Sequence, residues 1–205
     1  MDSQPIEDTV AHRLFVLDDQ ARLEAQAFLR LHDFCLQVLV DARKHNVIGQ
    51  SRLFEVEDWE TKPETLLWQA AHGNLALPGS AYYIVTDQGE PAMGAGSYVH
   101  PSWTYRAQDV TIAMARMYTL HPYRMNFVGT PVLRTIVAKA KTPWVMVTFN
   151  DHNRALYESL CGPTNRGLPW PLEWSPFEGI GKHTVNFVDQ WCAIAKTSDL
   201  RAVCK

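Results

Sequence analysis

Asn150-Asp151-His152-Asn153-Arg154-Ala155-Leu156-Tyr157-Glu158-Ser159-Leu160 decides the reading of this chain, because of what precedes it. Directly before it stands Trp144–Phe149 (WVMVTF), a continuous apolar run rich in β-branched residues. Such a run is expected of a strand buried on both faces. A buried strand that passes through Asn150 into a short helix over 151–160 is therefore predicted.

Upstream, residues 110–119 read as another strand. Leu120-His121-Pro122-Tyr123-Arg124-Met125-Asn126-Phe127-Val128-Gly129-Thr130 then forms a loop that runs into a helix over 130–141. A strand, a tight loop and a helix N-terminus bring several unpaired N–H groups to the positive end of the helix dipole. Arg124 adds a full charge where the loop begins. A pyrophosphate is the natural guest of such a site, although strand–loop–helix units are common and one Arg with one Gly is a weak signature.

Taken together, the two segments resemble the GNAT N-acetyltransferase superfamily. Its members carry an R/Q-x-x-G-x-G/A loop after the fourth strand, and their fifth strand ends in an Asn-x-x-Asn-x-x-Ala-x-x-Tyr-like helix start. Asn150, Asn153, Ala155, Leu156, Tyr157 and Leu160 follow the second pattern, and Leu120, Pro122, Tyr123, Arg124 and Gly129 follow part of the first. The element order is similar across nearly the whole chain, as expected of a divergent member. The resemblance implies an α/β fold: a central mixed, mostly antiparallel sheet of six to seven strands flanked by helices, in the order β-α-α-β-β-β-α-β-α-β-(β).

The resemblance also implies an acyl-CoA-dependent N-acyltransferase. Acetyl-CoA would be the co-substrate, and the acetyl group would pass to a primary amine, on a small molecule or a protein, by direct attack. Backbone groups of Tyr118, Thr119 and Leu120 would pair with the pantetheine arm. The amides of Arg124, Met125, Asn126, Phe127, Val128, Gly129 and Thr130 would cradle the pyrophosphate. Asn150 and Asn153 would hold the splayed strand end and the cofactor. Tyr157 would face the thioester sulfur as general acid, because a departing thiolate needs a proton or a hydrogen bond as the tetrahedral intermediate collapses.

Three features depart from the family pattern. Phe127 stands where the family has its first loop glycine, a residue that lets the backbone approach phosphate closely. The loop is one residue short, and residues 111–119 contain no carboxylate to act as a water-relayed base. His121 is the candidate base, with His100 and Asp109 behind it. These departures favour a rival reading, a GNAT-like fold retained as a binding or structural protein. A second rival is a GNAT-related nucleobase- or DNA-modifying enzyme of phage type. Trp170, Trp174, Phe177 and Trp191 could stack on a base or line an acceptor pocket, but packing against the sheet is the favoured reading. A formal charge of −3 and a pI near 6.2 argue against nucleic acid as partner.

The rest of the 205 residues fits one domain, with blocks 1–78, 79–160 and 161–205. His12–Leu17 reads as a first strand, and Leu23, Ala27, Leu31, Phe34 and Val38 mark one long amphipathic helix over 20–45. A short helix is predicted over 64–72, a hairpin over 81–86 and 91–99, and one or two closing strands within 183–195. The acidic run Glu55, Glu57, Asp58 and Glu60 reads as a solvated loop. The N-terminus carries Asp2, Glu7 and Asp8 without an apolar stretch, so no signal peptide is read there, and no apolar run is long enough for a membrane helix. Four scattered cysteines without CxxC spacing and unpaired helical histidines predict no metal and reduced thiols, hence a cytoplasmic protein. If it dimerises, the resemblance points to the closing strands and the C-terminal tail as the contact.

Overall fold

The computed structural model describes residues 12–17, 25–45, 80–124, 129–161, 175–185 and 188–204. The expected helix over 64–72, the acidic run, Met125–Val128 of the loop, Trp170 and Trp174 lie outside the described residues.

The first strand, β1 (His12–Leu17), is followed by α1 (Ala25–Lys44). Phe34, Cys35, Val38 and Ala42 of α1 are buried at helical spacing, which makes one stripe of that helix its docking face. The hairpin is longer than the sequence predicts. β2 (Ala81–Asp87) turns through Gln88 and Gly89 into β3 (Glu90–Tyr105). Both turn residues have positive φ, 49° and 92°, as a two-residue hairpin turn requires. β3 joins β4 (Gln108–Thr119) by the same kind of turn, built from Arg106 (φ 52°) and Ala107 (φ 59°). That turn has no Gly, Asn or Asp, so the expected strand ends at 99 and 110 fell short of it.

A 3₁₀ turn, His121–Tyr123, leads toward α2 (Thr130–Lys139), two residues shorter than expected. β5 (Trp144–Phe149) is buried along most of its length, as the apolar run demands. The segment after it divides into a 3₁₀ turn, Asp151–Asn153, and α3 (Arg154–Cys161). β6 (Glu178–Val185) and β7 (Val188–Lys196) are the two closing strands, the first beginning earlier than read. α4 (Thr197–Val203) was not expected at all.

The seven strands form one sheet in the order β1-β2-β3-β4-β5-β7-β6. All neighbours are antiparallel except β4 and β5. On one face Val132, Leu133, Ile136 and Val137 of α2, Leu160 of α3 and Leu200 of α4 pack on Tyr83, Val85, Met93, Val145 and Val147. The other face carries Tyr98, Ile112, Trp144, Met146 and Ile194. There α1 lies over β2 and β3, where the Phe34 ring sits 6.5 Å from that of Tyr82. Gly94 makes this approach possible: a Cβ at that position would run into the Phe34 ring and the Tyr82 hydroxyl. Among the described residues, no helix is long and apolar enough to cross a membrane.

Candidate active site

The parallel ladder between β4 and β5 is short. It pairs Val110–Ala113 with Trp144–Val147 and stops, although β4 runs on to Thr119 and β5 to Phe149. The break falls at Met114, whose φ of 56° is rare for a side chain of that size and marks a bulge. Beyond it the two strands part, and a gap opens toward their C-terminal ends.

Backbone alternation decides what faces the gap. Leu120 N–H donates to Ala92 C=O at 2.9 Å, and Leu120 C=O accepts from Tyr123 N–H at 2.9 Å, so Leu120 spends its backbone inside the fold. Its neighbour Thr119 pairs with Met93 in the register between β3 and β4, which turns the Thr119 backbone to the opposite side, toward the gap. Of the three strand-end residues singled out in the sequence, Thr119 has the exposed edge, while Tyr118 points its hydroxyl away to Asp41 Oδ2 at 3.0 Å.

At the mouth of the gap stands the N-terminus of α2. Gly129 caps it and Pro131 lies within its first turn, so the positive end of the dipole faces the end of β4. Gly129 has φ −78°, open to any residue; a Cβ there would lie 3.3 Å from Met114 Cε and 3.4 Å from Met93 Sδ. The two thioethers thus underlie the helix start. Arg124 is exposed; its Nε donates to Thr119 C=O at 3.1 Å and its guanidinium carbon lies 5.6 Å from the Tyr118 ring centre. This fixes the base of the side chain and leaves terminal N–H groups for an anion.

Asp41, which the sequence gave no reason to choose, organises the far side of this corner. From the last turns of α1 it accepts from the Tyr118 hydroxyl and from the His121 N–H, at 3.1 and 3.2 Å for its two oxygens. His121 stacks on His45 with ring centres 3.8 Å apart and planes 12° from parallel, and His45 Nε2 is 3.7 Å from Asp41 Oδ1. Burial first, and then the Asp41 carboxylate, pushes the Tyr118 phenol up to about 12. The partners lie 77 and 80 residues apart in sequence, so no local pattern could announce them.

On the β5 side, Asn150 Oδ1 accepts from Asn153 N–H at 3.0 Å and caps the turn. Asp151 ties that turn to the closing strands, accepting from Lys182 Nζ at 3.0 Å and from Trp191 Nε1 at 2.8 Å. These two donors hold its carboxyl below the usual carboxylate range. Tyr157 is half-buried, with its ring 6.2 Å from Phe149 and 5.4 Å from Trp191, and its oxygen accepts from Gly181 N–H at 3.2 Å. It therefore leans over β5, β7 and β6. Phe177 is buried in the core and Trp191 packs beside Tyr157, which is the packing role favoured for them.

His100 and Asp109 do not join this group. His100 Nδ1 accepts from Ser102 N–H on the outer part of β3, and Asp109 lies beside the β3–β4 turn, at the other end of β4. Burial raises the thiols as well: Cys35 and Cys192 to about 12, Cys161 to about 11, and Cys204 in the same direction. Among the described residues, no three His, Cys, Asp or Glu side chains gather as metal ligands.

No protein-family profile and no curated protein matches the chain. Solved structures do match over nearly its whole length. A GNAT-family acetyltransferase from Streptococcus agalactiae is 11% identical with a TM-score of 0.55, covering 90% of this chain and 95% of its own. Aminoglycoside acetyltransferase AAC(6')-Ib, in complex with coenzyme A and kanamycin, is 15% identical with a TM-score of 0.54, covering 95% and 99%. An N-acyl amino acid synthase from uncultured soil microbes is 8% identical with a TM-score of 0.53, covering 94% of each chain. The fold is that of the GNAT acetyltransferases, as the sequence resemblance implied.

Proposed function

We propose that this protein is an acyl-CoA-dependent N-acyltransferase that passes an acetyl group to a primary amine by direct attack. The observation that carries the reading is the opening between β4 and β5, which leads from a bulged strand to the dipole end of α2 with Arg124 at its edge. A thioester arm laid along β4 would find the Thr119 backbone edge, and its pyrophosphate would lie at the α2 amides and Arg124. Holding both reactants in one gap supplies much of the rate, since a bound pair reacts as a single molecule.

Direct attack suits the chemistry of the thiols. Burial favours the protonated form of all four cysteines, which disfavours a covalent acyl-enzyme through any of them. His121, stacked on His45 beside Asp41, is the group we assign to take the ammonium proton. Tyr157 accepts from Gly181 through its oxygen and keeps its own proton to give, as a general acid toward the CoA thiolate needs.

Titration calorimetry with acetyl-CoA, followed by a thiol-release assay over a panel of amines, tests this. Micromolar binding that weakens in Arg124→Ala, with turnover of at least one amine, is the expected result. No heat at millimolar acetyl-CoA would overturn it.

A further inference from the structure

A second concave site lies at the opposite end of the sheet. The starts of β4 and β5, the ends of α2 and β7 and the first turn of α4 enclose a cleft of about 680 Å³. Its charged lining is of one sign, Lys141, Lys196 and Arg201, with Gln108, Ser198 and Trp144 among them and no carboxylate. Arg106 joins from the β3–β4 turn, its guanidinium carbon 5.5 Å from the Trp144 ring centre. Asp199 Oδ1 accepts from the lining Ser198 hydroxyl at 3.0 Å, so three lining cations stand against that one carboxylate and the cleft draws anions.

Internal contacts hold both arginines, Arg106 over the Tyr105 and Trp144 rings and Arg201 on backbone carbonyls. Arg201 donates through Nε to Val137 C=O and through Nη2 to Ala138 and Ala140 C=O, closing the end of α2. Lys141 and Lys196 are exposed and make no ion pair or hydrogen bond among the described residues. The wall behind them is fixed. Thr142 Oγ1 donates to Trp144 C=O, Thr197 Oγ1 donates to Thr142 C=O, and Thr197 N–H donates to Pro143 C=O. Gln108 Oε1 accepts from Trp144 Nε1 at 2.8 Å, so the amide N–H groups are what that side chain has left to offer.

We propose that this cleft binds a small anion bearing several phosphate groups. A planar carboxylate is best met by an arginine fork; the Arg201 fork is committed to α2, and Arg106 lies over the Tyr105 and Trp144 rings outside the cleft lining. Two rotatable ammonium groups on a rigid wall instead suit tetrahedral phosphates, whose oxygens they can follow as point charges. The site is separate from the β4–β5 opening, and the inference does not depend on acyl transfer.

Titration of the full chain with inorganic tripolyphosphate at low ionic strength tests the proposal, in the wild type and in a Lys141→Gln, Lys196→Gln double variant. With coenzyme A held at saturation to fill the β4–β5 opening, the expected result is one site for tripolyphosphate, weakened at least about tenfold in the double variant. Both lysines are exposed, so the variant should melt within about 1 °C of the wild type. No binding at millimolar tripolyphosphate in the presence of saturating coenzyme A, or equal binding in the double variant, would overturn the proposal. Equally tight binding of hexaglutamate would also overturn it and assign the cleft to acidic polypeptides.

Discussion

At the scale of single residues, Asp41 organises the β4 side of the gap, while Tyr157 leans over β5, β7 and β6. Asp41 accepts the part-buried Tyr118 hydroxyl and the exposed His121 N–H, so Asp41→Ala removes these bonds and should cost about 1 kcal/mol, read as a lowered denaturation midpoint. The raised Tyr118 phenol has a pH consequence. The folded chain holds that proton more tightly than the unfolded one, so the stability it confers is complete below pH 10 and is lost as pH rises through about 12. Ultraviolet titration of the phenolates should find Tyr118 among the last to ionise. Asp41→Asn should move it only part of the way back, because burial is the larger cause. For Tyr157, replacement by Phe removes the proton donor and the acceptor of the Gly181 N–H; we expect kcat for acyl transfer to fall about 100-fold with little change in the KM for acetyl-CoA, measured by thiol release. The sequence pointed to Tyr157 through the spacing of Asn150 and Asn153 before it, a pattern held within one short stretch and so legible. It was silent on Asp41, whose meaning lies entirely in distant partners.

At the scale of elements, the sequence was read best where one stretch carried its own reason to fold. The apolar run of β5 and the stripe of α1 are such stretches. It was read worst at the β3–β4 turn, where Arg106 and Ala107 take left-handed dihedrals that neither residue favours. The long pairing of β3 with β4 imposes that turn from outside. Ala107→Gly should therefore stabilise the protein by about 0.5 kcal/mol, the relief of left-handed strain exceeding the added chain entropy. A small rise in melting temperature would show it. Gly94 answers to the opposite pressure. A methyl group there would push the Phe34 ring out of its seat, and Gly94→Ala should cost about 1–3 kcal/mol, separating α1 from the sheet before the rest unfolds. Hydrogen exchange on α1 amides would report that order. α4 escaped the sequence reading because a helix of seven residues with two buried side chains has little periodicity to display.

At the scale of the whole molecule, cofactor binding should be visible as stability. Acetyl-CoA at a hundred times its dissociation constant would add about 2.7 kcal/mol, a rise of about 5–10 °C in melting temperature for a chain of this size. An unchanged transition at saturating acetyl-CoA would contradict the proposed function. The fold was legible as a whole because element order and two motifs agreed with each other, whereas the acceptor side depends on which distant segments meet, and pattern does not encode that. The sheet order has one more effect, felt during synthesis. β7 is the last strand made, yet it lies between β5 and β6. Until it emerges from the ribosome, β5 presents an apolar edge with no partner on that side, and β6 has nothing to pair with. Products released before residue 188 would carry that open edge into the cell, where edge-to-edge pairing leads to aggregates. A premature stop in this chain is thus expected to yield insoluble protein, even though the truncated product would retain β1 through β5.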